Sequence, residues 1–323
     1  MLKKIKCLSS EKKGPRTEEK VAVVDELRPK YRLKILFRVS GLSKSTYYYY
    51  SSARHKNAVK RKKEDEERIL SLITPVFEHH KSRYGYRRIL LELKEELRGT
   101  NHKKIQKIMS RNGLLGKQGK NGKYHSYKGD NGEFKENLLL HKNVDEVKHK
   151  TTYVRDFGTT RPNEKWTTDV SEFKGPEGKL YLSPIMDMYD GSIVSYDISF
   201  HPDFEQTRRM LDKAFRNHPD LEGLIFHSDQ GWQYQMKPYQ EMLKERGIRQ
   251  SFSRKGNCMD NSLMENFFGI MKNEMYYGYT FESMEELKAA MEEYIDYYNN
   301  ERINLKRKGL SPLAYRQQSL SKS

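Results

Sequence analysis

The chain has 323 residues, 61 Lys+Arg against 44 Asp+Glu, and a formal net charge of +17. Its length predicts two or three domains at roughly 100–200 residues each, and no apolar run approaches the roughly 18–20 residues of a membrane span, so no membrane partner is expected. The basic start, Met1-Leu2-Lys3-Lys4-Ile5-Lys6-Cys7, lacks the apolar core of a secretory signal, and Cys7 and Cys258 stand far apart without a CxxC pair, which excludes a cysteine framework and leads us to expect a cytoplasmic protein.

Charge is unevenly spread. Residues 1–150 hold 38 Lys+Arg and 18 Asp+Glu, net +20, whereas 151–323 hold 23 and 26, net −3. A positive field of that size implies a polyanion, of which the phosphate backbone of nucleic acid is the usual example. The near-neutral second half contains both tryptophans and is where cleft chemistry is expected.

In chain order, residues 1–20 read as a frayed leader. Residues 31–40 place Ile35, Leu36 and Val39 at helical spacing; Gly41-Leu42-Ser43 and a second short helix over 44–50 follow, the outline of a helix-turn-helix. Residues 54–70 read as a solvated helix or connector. Helices are expected over 69–79, 84–93 and 101–110; in the last, Ile105, Ile108 and Met109 form the apolar stripe. Lys103, Lys104 and Lys107 face outward there, toward phosphates or plain solvent, with Asn101 as N-cap. Residues 116–163 are expected to be a long basic linker. Strands then run over 166–173, 180–189 and 192–200, with Asp190-Gly191 as a hairpin signal. A helix (204–215), strand (224–228), helix (237–246), strand (248–252) and helices over 260–273 and 283–300 complete a mixed α/β sandwich.

Chemistry on a phosphodiester is served by two Mg²⁺ ions on carboxylates brought together from separate elements. Asp169 lies mid-strand, sharing a face with the small Thr167 and Ser171, a costly place for a charge unless something pairs it. Asp229 ends an apolar strand just before Gly231, where a mere turn residue is the competing reading. Glu265 shares a polar helix face with Asn261, Ser262, Gly269 and Lys272, with Leu263, Phe267 and Ile270 opposite; a solvent face is the alternative. Arg254 and Lys255, in the loop ahead of that helix, suit phosphate contact. His227 reads as a strand-end histidine or a pocket neighbour, and Trp232 and Tyr234 as base-stacking or packing residues.

The second acid follows the first by 60 residues, 35 residues separate the second from the third, and a basic residue follows at 272. This resembles the D,D(35)E signature of retroviral-integrase-type transposases. With Asn163-Glu164-Lys165-Trp166-Thr167-Thr168-Asp169, His227-Ser228-Asp229-Gln230-Gly231, Arg254-Lys255-Gly256-Asn257-Cys258-Met259-Asp260-Asn261-Ser262, Tyr298-Asn299-Asn300-Glu301-Arg302 and Leu310-Ser311-Pro312, the chain resembles the IS3-family insertion-sequence transposases, IS150-like branch, downstream reading frame. Tyr84-Gly85-Tyr86-Arg87-Arg88-Ile89 resembles the family's helical DNA-binding segment. The resemblance covers roughly 30–316.

The residues themselves give a helix-turn-helix-like segment (1–52) and a basic linker (116–162); the resemblance implies a helical DNA-binding region (53–115) in which Arg87 and Arg88 contact DNA, an RNase H-like core (163–280) and a C-terminal helix and tail (281–323) that complete it. It implies catalysis by Asp169, Asp229 and Glu265 holding Mg²⁺, with Mn²⁺ as substitute and two ions, and Lys272 touching DNA. The activity implied is cleavage at terminal inverted repeats and joining of the freed 3′-hydroxyl. The implied partners are the element's ends and target DNA, further copies of the chain on DNA, and an upstream-frame protein joined by frameshifting. An inactive DNA-binding remnant or regulator is the competing function. A retroviral-type integrase would need an N-terminal His/Cys zinc module, which a single cysteine before residue 258 excludes.

Overall fold

In a computed structural model describing residues 16–116, 136–145, 150–254 and 257–321, the first helix, α1 (Thr17–Leu27), begins inside the leader expected over 1–20. Residues 1–15 of that leader lie outside the described residues. Glu19 accepts from the Arg16 N–H at 2.9 Å, and Val21, Val23 and Val24 are buried, so a start signal and an apolar stripe were both present. Helices α2 (Leu33–Ser40) and α3 (Lys44–Ser51) follow. Gly41 turns the chain at φ +68°, a conformation that costs glycine little, and Ser43 caps α3 through the Thr46 N–H. Val21, Val24, Leu36, Leu42 and Tyr47 form their common core.

The expected connector over 54–70 and the helix over 69–79 are one 27-residue helix, α4 (Ala53–His79). Its first half is polar with exposed i,i+4 pairs such as Lys60–Glu64, and its second half buries Ile69, Ile73 and Phe77 on one face. Helix α5 is Tyr86–Glu92, and α6 is His102–Arg111, capped by Asn101 and burying Ile105, Ile108 and Met109 as expected. By contacts the described residues divide into two units, those up to His79 with Glu95–Leu114, and His80–Lys94 with those from Leu115 onward. Thus 80–94, with α5, Arg87 and Arg88, clusters with the second unit rather than with the helices on either side.

In the second unit, the span expected as a linker contains an antiparallel ribbon, β1 (Leu140–Asp145) against β2 (Lys150–Arg155). The β-favouring Thr152-Tyr153-Val154 was masked by Lys, His and Asn around it. Residues 117–135 and 146–149 of that span lie outside the described residues.

The expected strand over 166–173 is two strands, β3 (Lys165–Thr168) and β4 (Ser171–Lys174), along one edge of β5 (Lys179–Asp187). The pairs Thr168↔Ile185 and Ser171↔Leu182 share one register, so Pro184 stands opposite Asp169. Proline has no N–H to give the ladder, and the Thr168 hydroxyl donates to its carbonyl at 2.8 Å. The interruption at Asp169 is therefore written in the partner strand. β6 (Ile193–Ser199) pairs on the other edge of β5, and β7 (Ile225–Ser228) and β8 (Arg249–Phe252) extend the sheet in parallel beyond β3. Helices α7 (Phe204–Asn217), α8 (Trp232–Gln235) and α9 (Lys237–Lys244) join a core around Trp166, Ile185, Phe226 and Phe252.

Helix α10 (Ser262–Met271) runs into a π-helical turn at Lys272–Tyr276 and packs on β3, and α11 (Met284–Asn300) packs on β5 and β6. The Asn299 amide pairs with both the N–H and the carbonyl of Ile193, each at 2.9 Å. Ser311 caps α12 (Pro312–Leu320) with proline at its first position, and Arg316 binds Asp187 and Asp190. Arg302, 2% exposed, forks onto Glu274 at 2.7 and 2.6 Å, and Arg88 and Tyr294 bind the same carboxylate at 3.2 and 2.9 Å. Burial raises the Glu274 pKa, but these partners more than offset that and leave it lowered. Removing one partner strands a buried charge, so Arg302→Met should cost about 3–5 kcal/mol in urea unfolding. The double change with Glu274→Leu should recover most of that loss.

Candidate active site

β3 and β7 are parallel neighbours paired through Trp166↔Phe226 and Thr167↔His227. Carried two residues on, that register sets Asp169 beside Asp229, each one step past the carboxyl end of its strand. Asp169 Oδ1 accepts from the Val170 N–H at 2.7 Å, and Asp229 Oδ1 from the Gly231 N–H at 2.9 Å. The second bond is the turn geometry expected of a strand-end Asp, and it leaves the second carboxylate oxygen out of that bond. A Cβ on Gly231 would stand 3.0 Å from that oxygen, and glycine permits the approach.

Glu265 comes from the other side. Asn261, just ahead of α10, accepts from the Thr167 hydroxyl at 2.5 Å and donates to the Thr168 carbonyl at 3.0 Å. These bonds pin the start of α10 to the end of β3, and Glu265 lies one turn further on. The buried face of α10 is Met264, Phe267, Phe268 and Met271. Phe267 is where the helical arc put it, but Leu263 and Ile270 are only partly buried, because the sheet meets the helix one position round.

All three acids are partly open to solvent yet hemmed in by protein. Burial pushes the Asp169 pKa well above 3.8, and the charges of Asp229 and Glu265 push the same way. Burial raises Asp229 as well. Lys272, at the start of the π turn, sits with its ammonium 5.0 Å from the Phe173 ring centre; burial lowers its pKa against the pull of Glu172 and Asp169. A π turn at such a place is common at functional sites.

The other expected DNA contacts fare differently. Arg254 donates both guanidinium arms to Asp260 at 3.0 Å, so it braces the loop instead of standing ready for a phosphate. Lys255 lies outside the described residues. Arg88 is committed to Glu274, whereas Arg87 is exposed. Lys104 is bonded to Asp65, while Lys103 and Lys107 are exposed. His227 is the satisfied histidine of the bland alternative, its two ring nitrogens 2.9 and 3.0 Å from Ser251 and Ser253, with burial lowering its pKa to about 4. Tyr234 is packed inside and Trp232 is 47% exposed.

Sequence reasoning missed Asp260 and Asn261 as positioning residues, although both stand in a quoted motif. Asp260 accepts from Arg254, from Arg155 of β2 at 2.7 Å and from Asn137 at 3.1 Å, fastening the ribbon to the entry of α10. Burial raises its pKa, but the Arg254 and Arg155 hydrogen bonds outweigh that and bring it from 3.8 down to about 2. A depressed carboxyl stabilises the fold above its unfolded pKa and loses that contribution as pH falls through the folded one. Asp260 should therefore supply about 2 kcal/mol at neutral pH, vanishing between about pH 4 and pH 2. Urea unfolding across that range should show a shallower acid slope for Asp260→Asn than for the wild type.

The chain is similar to known proteins along most of its length. Integrase core domain models match residues 159–258 and 265–320, and an HTH-like domain model matches 64–121. A putative transposase for insertion sequence element IS150 from Escherichia coli K12 is 42% identical over 297 residues, 92% of this chain and 98% of that protein. An uncharacterized transposase-like protein from Haemophilus influenzae is 54% identical over 223 residues, 68% of this chain and 95% of that one. Among solved structures, the HTLV-2 integrase catalytic core domain in complex with magnesium aligns at a TM-score of 0.40 and 19% identity, covering 49% of this chain and 99% of that one. The chain belongs to the IS150-like insertion-sequence transposases of the IS3 family, proteins of DNA transposition with an HTH-like domain ahead of an integrase core.

Proposed function

We propose that the chain is a polynucleotidyl transferase of the DDE type, with Asp169, Asp229 and Glu265 as its catalytic acids. One observation carries this reading: the parallel register of two strands sets Asp169 beside Asp229, and burial together with the negative charges of Asp229 and of Glu265, which a helix supplies, raises Asp169. Such an arrangement costs stability unless a cation neutralises it. The donors are all hard oxygens, with no sulfur or imidazole among them, and that set fits Mg²⁺ or Mn²⁺. Two such ions, when bound, would supply charge stabilisation to the attacking and leaving oxygens of an in-line displacement.

The chain's own residues do the rest. Asp229, held by the Gly231 N–H, and Asp169, held by the Val170 N–H, keep fixed orientations, so little reorganisation is needed when DNA arrives. Lys272 brings a positive charge to the edge of the cluster, suited to a DNA phosphate. In the first step water displaces the 3′ oxygen at an element end, leaving a 3′-hydroxyl and a 5′-phosphate. In the second, that hydroxyl oxygen attacks another phosphodiester, whose own 3′ oxygen leaves with the proton. One phosphodiester forms as one breaks, so the joining step needs no outside energy source. The first joining links one element end to the other, and the later one links both to target DNA. Pairing two ends implies two or more copies of the chain on DNA. Joining to an upstream-frame protein by frameshifting is part of the same proposal.

The test is a plasmid carrying the gene's own flanking DNA ends, supplied with this chain alone or fused to the upstream frame. End-to-end junctions should form with the wild type and fall at least a hundredfold with Asp169→Asn, Asp229→Asn or Glu265→Gln. Equal junction counts for wild type and variants would remove the acids from catalysis. An absence of junctions with DNA ends still bound would favour a DNA-binding remnant.

A further inference from the structure

The first three helices have a feature that neither the integrase core match nor the HTH-like match at 64–121 covers. From residue 28 to 63 there are twelve Lys and Arg and not one Asp or Glu. Within that stretch α2 and α3 are joined by a three-residue turn in which Gly41 takes a left-handed conformation, Leu42 is buried and Ser43 caps α3. Tyr47 locks α3 inward, its ring 5.2 Å from Phe37 and its hydroxyl bonded to Asp25 of α1 at 2.5 Å.

With Tyr47 turned in, α3 presents Lys44, Ser45, Tyr48 and Tyr49 outward, the tyrosines 47% and 61% exposed. These four fall within an arc of about 140° at the amino-terminal end of the helix. Local contacts hold this face in place, with Tyr48 edge-on to Tyr47 at 5.3 Å, Tyr49 to His55 at 5.0 Å and the Ser45 hydroxyl 2.9 Å from that of Ser43, while both rings keep about half their surface open. Tyr and Ser hydroxyls can donate to or accept from base edges, Lys matches the guanine acceptors, and a ring can lie on a thymine methyl. The second helix of a helix-turn-helix reads bases through its first residues in this way.

We propose that α2, the turn and α3 form a second DNA reader, with Lys44, Ser45, Tyr48 and Tyr49 entering the major groove of the element's end. This deepens the proposed function, and rests on it, by naming the part that selects the DNA. Further along the same unit, Lys62 of α4 and Lys103 and Lys107 of α6 line one basic groove. Lys62 is about ten residues into α4, roughly 15 Å along its axis. That is between four and five base pairs of duplex at 3.4 Å each, so the groove can grip backbone phosphates beside the base-reading helix.

The test uses the full chain and two labelled duplexes, one carrying the DNA end that flanks its own gene and one a scrambled sequence of the same composition. In about 150 mM salt the wild type should prefer the end duplex. Tyr48→Ala with Tyr49→Ala, and separately Lys44→Gln, should cut that preference roughly tenfold or more while leaving scrambled binding, its salt slope for the tyrosine pair and thermal melting unchanged. Lys103→Ala with Lys107→Ala should weaken both duplexes alike and lower the salt slope by about two. Asp169→Asn should keep the full preference, so failure of the reader and failure of the catalytic reading are told apart. An unchanged preference in the tyrosine and Lys44 variants would overturn the proposal, as would a wild type that binds both duplexes equally. So would a loss of self-association with the DNA preference intact, which would make this face a contact between copies.

Discussion

Like charges held side by side are the constraint around which the core is organised. The parallel register of β3 and β7 sets Asp169 against Asp229, and nothing in those two strands relieves the repulsion. Each carboxylate is therefore anchored to a backbone N–H close by in sequence, and the third acid arrives on a helix tied to the first strand by Asn261. The elements that carry the acids are braced in turn by the network around Asp260 and by the Glu274 and Arg302 pair.

Those two ion networks show how motif residues remote from the three acids brace the elements that carry them. Asp260 joins the ribbon, the loop and the start of α10 at a single carboxylate, so the helix bearing Glu265 cannot shift without breaking several charge-assisted bonds. Glu274 lies within the π turn that Lys272 begins, and its partners Arg302, Arg88 and Tyr294 fix the far end of that helix. Asn299 ties the following helix to β6, and Arg316 ties the last one to Asp187 and Asp190. Both ends of α10 are held, as a site that depends on distances between charges requires.

Much of this was legible in the residues, and what was not had physical reasons. Strong periodicity marked α6, α7 and α11, and alternation marked β5 and β6. Spacing and motif words picked out the three acids proposed as catalytic. The break at Asp169 was hidden because its cause, Pro184, lies on another strand. The ribbon was hidden because its polar sequence satisfies strand pairing without an apolar face. Arg254 and Arg88 looked like phosphate ligands because a local reading cannot see that Asp260 and Glu274, distant or buried, already hold them. The join of 54–70 to 69–79 escaped notice because a solvated half-helix has no apolar stripe of its own.

The most direct test of the account is the number of Mn²⁺ ions bound by the full chain on an element-end duplex, read by electron paramagnetic resonance for wild type and Asp169→Asn. The account predicts two ions coupled at roughly 3.5–4 Å in the wild type, with the coupling lost in the variant. Equal Mn²⁺ binding and identical spectra for the two proteins would contradict it.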